Sequence, residues 1–508
     1  MENALKRFWE ANRRVIVICL IATFVWGLAA HGYHFLNFQL NHDCIDGIYA
    51  AGLDSNNDHK IELGRVFVPA YRYLTRGMMT LPWMLGFLGL VWTGLAVFCV
   101  AALFEIRSPW LLILLSGVMT TNLAVTSQAA TYLNDYDANM FALMISCFAA
   151  LAWRKKLPGW VVLGAAAVGL GIGLYQSYVS VTIALVMIVM ILRLLDGEKM
   201  HKVLLDGIKA AGMTILGAGV YYAGLKTIPT VTGIPLVERS NSISQLANMK
   251  IDEIPMMVRG AYFDWLDFFT VPDSAWLSPQ VMQVVNVALL VLTTLLLIAA
   301  CFSKKVDVKA KGLAVILFAL LPLGMNVCYV LTSGTVHDLM KYAFVLIFVL
   351  ALMLTVRVNF KPVRWLCGAL VFMTVWSGTQ TANTIYLKKT AVWNATYAHM
   401  TNVVYDMLYY GYVPGETEVF ISGQIPFGDM PGFENVEGVV GVDHNNAITR
   451  DQKSIRSYFQ YVFGDKMVFA TEEQQEAIMA TEDFEYMSRW PDEGYITIVD
   501  DVMVVKLN

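Results

Sequence analysis

Apolar residues run along this chain in long blocks. About eleven segments of roughly 20 mainly apolar residues, the length that crosses a bilayer core as a helix, fall near 15–36, 79–103, 110–130, 137–153, 159–175, 179–195, 205–227, 278–302, 312–331, 337–356 and 363–384. The run from Gly159 to Leu195 is too long for one crossing. It divides at Tyr175, Gln176, Ser177 and Tyr178, where polar side chains interrupt the Leu, Val and Ile pattern. The pattern predicts an α-helical polytopic membrane protein.

The blocks stop after about residue 385. Residues 391–410 have amphipathic helical spacing closed by Gly411, and 418–422 read as a short strand. Thr471 followed by Gln474 is a capping box opening another helix. Residues 495–499 and 502–507 alternate around Asp500 and Asp501, a closing hairpin. The expected plan is a membrane domain over 1–384, with long loops at 37–78 and 228–277, and a small α/β domain over 385–508.

Composition strengthens this division. Hydrophobic residues make up 57% of the 508 positions and charged ones 15%, against about a quarter charged in ordinary soluble chains. Mean hydropathy is +0.55. The formal net charge of -4 excludes a generally basic nucleic-acid binder. Residues 1–384 hold 28 Lys and Arg against 21 Asp and Glu, whereas 385–508 hold 8 against 19. The tail is therefore acidic and the body mildly basic.

Loop charge supplies an orientation. Basic residues gather at Lys6 to Arg14, at Arg107, at Arg154 to Lys156, at Arg193 to Lys202, at Lys304 to Lys311 and at Arg357 to Arg364. The positive-inside rule makes these loops cytoplasmic, which places 37–78, 228–277 and the tail outside the plasma membrane. The first span is too long for a signal-peptide core and lacks a small-residue cleavage site, so it is expected to remain as an anchor. Six of the seven cysteines fall in spans, Cys44 alone lies in an outer loop, and no CxxC spacing marks a metal knuckle.

Candidate chemistry concentrates after the first span. Asp43 and Asp46 share one face if that stretch is helical. Two carboxylates at a low-dielectric boundary raise one pKa, as a general base acting on a sugar hydroxyl requires. The competing reading is a solvated loop with Asp43 as an N-cap. Glu62, Gly64 and Arg65 set a carboxylate and a guanidinium about a tight turn, and Arg72 and Arg76 extend a basic stripe suited to a lipid phosphate. Snorkelling to the interface is its alternative. Further outer positions are Asp135 and Asp137 about Tyr136, then Tyr175, Gln176 and Tyr178, and finally His337 and Asp338 with Lys341. Tyr262, Asp264, Trp265 and Asp267 fit an interfacial helix.

The Asp43-x-x-Asp46 loop, the Gly64-Arg65 pair, the Asn134-Asp135-Tyr136-Asp137 turn, the Tyr175-Gln176 turn and a small outer tail together resemble the serotype-converting glucosyl transferases, Gtr type II, within the GT-C class of polytopic glycosyltransferases. The resemblance covers most of 15–390. It implies transfer of a glucosyl group from a polyprenyl-phosphate carrier to a cell-surface glycan, O-antigen in the best-characterised members, on the outer face of the membrane. It places the catalytic carboxylate at Asp43 or Asp46, with the choice open. Arg65, Arg72 and Lys341 would then hold the donor phosphate, and Glu62, Asp135, Asp137, Tyr175, Gln176, Tyr178 and His337 would line the substrate site. A single displacement implies inversion. A divalent cation at the carboxylates stays open, with no ligand pattern to claim it. The rival readings are a lipid-linked glycan polymerase or ligase, and a transporter or flippase. The latter calls for repeated halves and mid-span charges, which the sequence does not display.

Overall fold

The structure is a computed structural model that describes residues 2–37, 39, 42–45, 50–237, 251–271, 279–303, 306–332, 334, 336–358, 360–424 and 452–507. Along the chain, α1 (Glu2–Leu36) leads to the short α2 (His42–Ile45), α3 (Ala50–Glu62) and α4 (Val68–Thr75). There follow α5 (Pro82–Leu103), α6 (Pro109–Thr120), α7 (Leu123–Thr131), α8 (Tyr136–Lys155), α9 (Trp160–Leu174), α10 (Val179–Leu195) and α11 (Met200–Thr232). Next come α12 (Ile254–Thr270), α13 (Pro279–Cys301), α14 (Val308–Met325), α15 (Val327–Leu331) and α16 (Leu346–Val356). The last helix of the bundle, α17 (Lys361–Tyr409), is 49 residues long.

Each of the eleven apolar segments falls on helix, but fewer meet the length and hydropathy of a full crossing. Among the described residues seven helices do so, or eight if the bent α6–α7 pair is one span. The shortfall has local causes. Asn122 interrupts the 110–130 run because its side chain accepts from Val125 N at 3.1 Å and caps α7, and the chain bends there by 43°. The stretch 159–175 yields a helix of only 15 residues, and 337–356 loses helix to the 3-10 turns Asp338–Met340 and Tyr342–Val345. The result is a polytopic membrane protein whose polar turns interrupt its spans.

Helix α8 sits at the centre, packed on α5, α9 and α10. Small residues let backbones approach closely where lipid gives no hydrophobic drive to association. A Cβ on Gly169 of α9 would lie 2.7 Å from Gly217 O of α11, and one on Gly217 would lie 2.8 Å from Ala165 O. These helices touch backbone to backbone.

The tail builds a sheet of β1 (Glu418–Ser422), β2 (Val468–Phe469), β3 (Ile496–Val499) and β4 (Val502–Lys506) in the order β2-β1-β4-β3. Strand β1 runs parallel to β2 and β4, and β3 pairs antiparallel with β4. Asp500 and Asp501 turn this hairpin at φ 49 and 64°, both left-handed as its two-residue turn needs. Alternation in the sequence marks β4 as half-exposed, yet it is buried along its whole length because neighbouring strands and helices cover it. Helices α18 (Gln452–Phe463), α19 (Glu472–Met479) and α20 (Glu482–Tyr486) accompany the sheet, and Thr471 and Gln474 form the expected capping box.

The change of charge near residue 384 falls inside α17, which continues unbroken from bundle to tail. A change of composition gives the helix backbone no reason to stop there. Tyr412 and Tyr495 hydroxyls donate to Asp465 and Asp406 at 2.6 Å each, and so tie the end of α17 to the sheet.

Candidate functional site

The C-terminus of α3 decides how the site begins. Gly64 adopts φ +75, its N–H donates to Ile61 O at 2.8 Å, and Arg65 N donates to Lys60 O at 2.8 Å. This is a Schellman closure, in which the residue after the left-handed glycine folds back over the last turn. Arg65 is thereby brought beside Lys60. The sequence reading of Gly64 as a tight turn holds, and the structure adds its second partner.

Both cations converge on Asp135, which the 3-10 turn Leu133–Asp135 delivers from the start of α8. Lys60 Nζ lies 2.7 Å from one carboxylate oxygen and Arg65 Nη1 lies 3.5 Å from it, while Arg72 Nη2 binds the other at 2.6 Å. Arg72 is held further by Asn56 and Asn57, whose side-chain oxygens accept from Nη1 at 2.8 and 2.9 Å. Its Nε has no partner. One turn on, Arg76 Nε donates to Asp137 at 2.9 Å and Arg76 Nη2 to Asn134 O at 2.6 Å.

Charge does not balance here. Arg76 and Asp137 cancel, but three cations face the single carboxylate of Asp135, an excess of two positive charges among the described residues. Lys60 feels it: burial pulls its pKa down, Asp135 opposes, and Arg65 and Arg72 push it down again. A buried cationic excess of this kind is a ready anion site. Arg65 is the member that faces outward, with a side chain 14% exposed, and its guanidinium lies over the Tyr175 ring at 4.9 Å and the Tyr132 ring at 5.8 Å.

Aromatic rings lead on from Arg65. Tyr175 and Tyr178 ring centres are 5.5 Å apart, and Tyr178 and Tyr342 are 5.6 Å apart. The Tyr178 hydroxyl donates to Gln128 at 2.9 Å, and Gln176 donates to Leu63 O at 3.2 Å across the α3 turn. Beside Tyr342, Lys341 is paired with Asp264 at 2.9 Å and Asp338 at 3.3 Å. Lys341, expected to hold the donor phosphate, is therefore already matched by carboxylates, because α12 brings Asp264 from the 228–277 loop against it. Glu62 pairs with His59 at 3.1 Å, and His337 is exposed.

The acidic segment abuts the same turn. In α2, Cys44 and Ile45 are buried, and Cys44 Sγ donates to Thr131 O at 3.3 Å and to Asn134 Oδ1 at 3.6 Å. Lys389 of α17 donates to the neighbouring carbonyl, Ala130 O. Cys44 therefore stands beside Asn134, whose carbonyl Arg76 binds. The Asp43 side chain and Asp46 lie outside the described residues. Helix α18 of the tail packs on α2.

Two features change the expected site. Asp135 and Asp137, expected in an open outer turn, are fully buried, because α3 and α4 fold over them. The basic stripe neither snorkels nor stands free: Arg72 and Arg76 are clamped on those carboxylates. Sequence reasoning passed over Lys60, Asn56 and Asn57. One signal was present, since Lys60 is the single lysine in the 37–78 loop and precedes the Gly64 stop by four residues. No three His, Cys, Asp or Glu side chains gather for a metal among the described residues.

Gly64 carries a direct prediction. A Cβ there would stand 2.9 Å from the Tyr221 hydroxyl, on a backbone that only glycine adopts freely. Gly64→Ala is expected to cost about 1–2 kcal/mol in thermal unfolding in detergent. A melt unchanged from wild type refutes the closure as described.

Among known proteins, a family model described as Glucosyl transferase GtrII matches residues 32–358, more than half of the chain. The match takes in α2, the cation cluster and Lys341. No curated protein and no solved structure matches.

Proposed function

The chain belongs to the GtrII glucosyl transferase family, and from that premise we propose that it moves a glucosyl or similar hexosyl group from a polyprenyl-phosphate carrier to a cell-surface glycan at the outer face of the plasma membrane. The observation that carries this reading is the unbalanced cluster of Lys60, Arg65 and Arg72 around Asp135 beside the acidic segment. A glycosyl carrier phosphate is a diester with one negative charge. Loss of the sugar leaves a monoester bearing about two at neutral pH. Two surplus positive charges among the described residues favour the state after bond cleavage over the state before, which is what lowers a barrier.

The proposed step is one displacement. Asp43 or Asp46 takes the proton of the acceptor hydroxyl, whose oxygen bonds to the anomeric carbon. The bond from that carbon to the phosphate oxygen breaks on the opposite face and inverts the sugar. Its electron pair goes to the phosphate, where Arg65 and Lys60 meet it. In this scheme Arg72 works through Asp135, since its terminal nitrogens are already engaged. The membrane domain with its outer loops and the outer tail unit keep the assignments drawn from charge.

Membranes supplied with labelled polyprenyl-phosphate glucose and acceptor test the reading. Asp43→Asn or Asp46→Asn, whichever removes the base, is expected to lower transfer by about 10²–10⁴ at equal protein level. Wild-type rates in both variants would remove the proposed base.

A further inference from the structure

Helix α17 is far longer than a bilayer requires. Its 49 residues extend about 73 Å, against about 30 Å of hydrocarbon. Its exposed face changes character along that length. Trp365, Leu366, Phe372, Met373 and Trp376 are exposed in the first half, as lipid contact demands. Leu387 is the last exposed aliphatic before the projecting half, and Tyr397 and Tyr409 stand roughly 15 and 33 Å beyond it along the axis. That distance carries them past the interfacial zone where aromatic belts sit.

Beyond the apolar face comes a solvent-exposed stripe of Asn394, Tyr397, Thr401, Tyr405 and Tyr409. Their three- and four-residue spacing puts them on one side of the helix. Thr396, Met400, Val403 and Met407, on the other side, are buried. Tyr397 is 51%, Tyr405 71% and Tyr409 81% exposed. The stripe carries no charged side chain, although residues 385–508 hold 19 acids against 8 bases. Three large rings in water without an anchoring role mark a binding surface.

The chemistry selects the occupant. Sugar rings offer C–H groups to the electron-rich face of an aromatic ring, and their hydroxyls bond to amides, hydroxyls and phenols. An anionic partner would meet an acidic unit with no base on the stripe, and Leu408, 50% exposed, is the one large aliphatic side chain among the tyrosines, too little for the apolar core that a second protein copy needs. The face also leads to the site. It continues down to Thr390, whose hydroxyl is bonded to Tyr33 at 3.0 Å and Gln39 at 2.6 Å, just before α2.

We propose that the Tyr397, Tyr405 and Tyr409 face of α17 is the docking track for the acceptor, a neutral glycan chain whose end is presented to the acidic segment. This rests on the transferase reading. The test uses the full chain in lipid nanodiscs, titrated without donor against neutral polysaccharides (dextran, mannan and a rhamnan) and against anionic alginate. At least one neutral polymer is expected to bind in preference to alginate. Tyr405→Ser with Tyr409→Ser should weaken it by about tenfold or more. Tyr405→Trp with Tyr409→Trp should restore it, which a merely structural role would not predict.

Equal binding by the serine variant, no neutral polymer bound by wild type, or a change in particle mass that reveals a self-interface each overturn the track. Asp43→Asn and Asp46→Asn separate the two ideas. If both keep full transfer while binding still depends on the tyrosines, the mechanism fails and the track stands.

Discussion

Asp135→Asn is expected to cost about 3–5 kcal/mol of folding stability, because it leaves Lys60, Arg65 and Arg72 crowded and buried with no countercharge. The loss should depend on pH. Lys60 has a folded pKa already below its ordinary value, so the folded state binds fewer protons than the unfolded one as pH falls toward that value. Stability then rises with pH through the window up to the unfolded lysine pKa near about 10.4. Without Asp135 the folded pKa drops further, the window widens, and the deficit of the variant narrows in alkali. Lys60→Met in the same background should recover part of it, a coupling that a double-mutant cycle reads directly. Unfolding followed by tryptophan fluorescence in detergent measures all three. A neutral-pH loss under about 1 kcal/mol would show that the cations do not need this carboxylate.

The second large effect is catalytic. Arg65→Ala should lower the transfer rate by about 10²–10³ while stability changes little. Its pair with Asp135 is the long one of the three, 3.5 Å, and its side chain alone among them reaches solvent. Arg65→Lys keeps the charge but loses the fork, so it should recover only part of the rate. Lys341→Met is the contrast. That lysine is already matched by Asp264 and Asp338, and its removal should alter the rate far less. Equal losses at Arg65 and Lys341 would mean that surplus charge is not what the donor phosphate meets.

Much of the fold was legible because its signals are local. The eleven apolar runs lie on helix, the strand at Glu418–Ser422, the Thr471 capping box and the Asp500 turn all occur where spacing put them. Each depends on residues within a few positions of one another. The break after α9 was legible from its polar residues, but the count of full crossings was not, since Asn122 bends the 110–130 run and the polar turn before α16 shortens the next-to-last one. The site was half legible. Gly64 beside Arg65 announced a turn, and Asp135 stood out as a carboxylate in a short connection, but each was assigned to solvent or ligand.

What the chain determines by itself is therefore the membrane class, the positions of its helices and turns, the acidic segment after the first span and the acidity of the tail. Tertiary structure alone decided that Lys60, Arg65 and Arg72 share one carboxylate, that Lys341 is paired with Asp264, and that α17 continues unbroken for 49 residues into the tail unit. The division follows from range. Hydropathy and helix caps act over one or two turns, whereas a Coulomb balance inside low dielectric is a sum over groups up to 75 positions apart, from Lys60 to Asp135, that no local window contains.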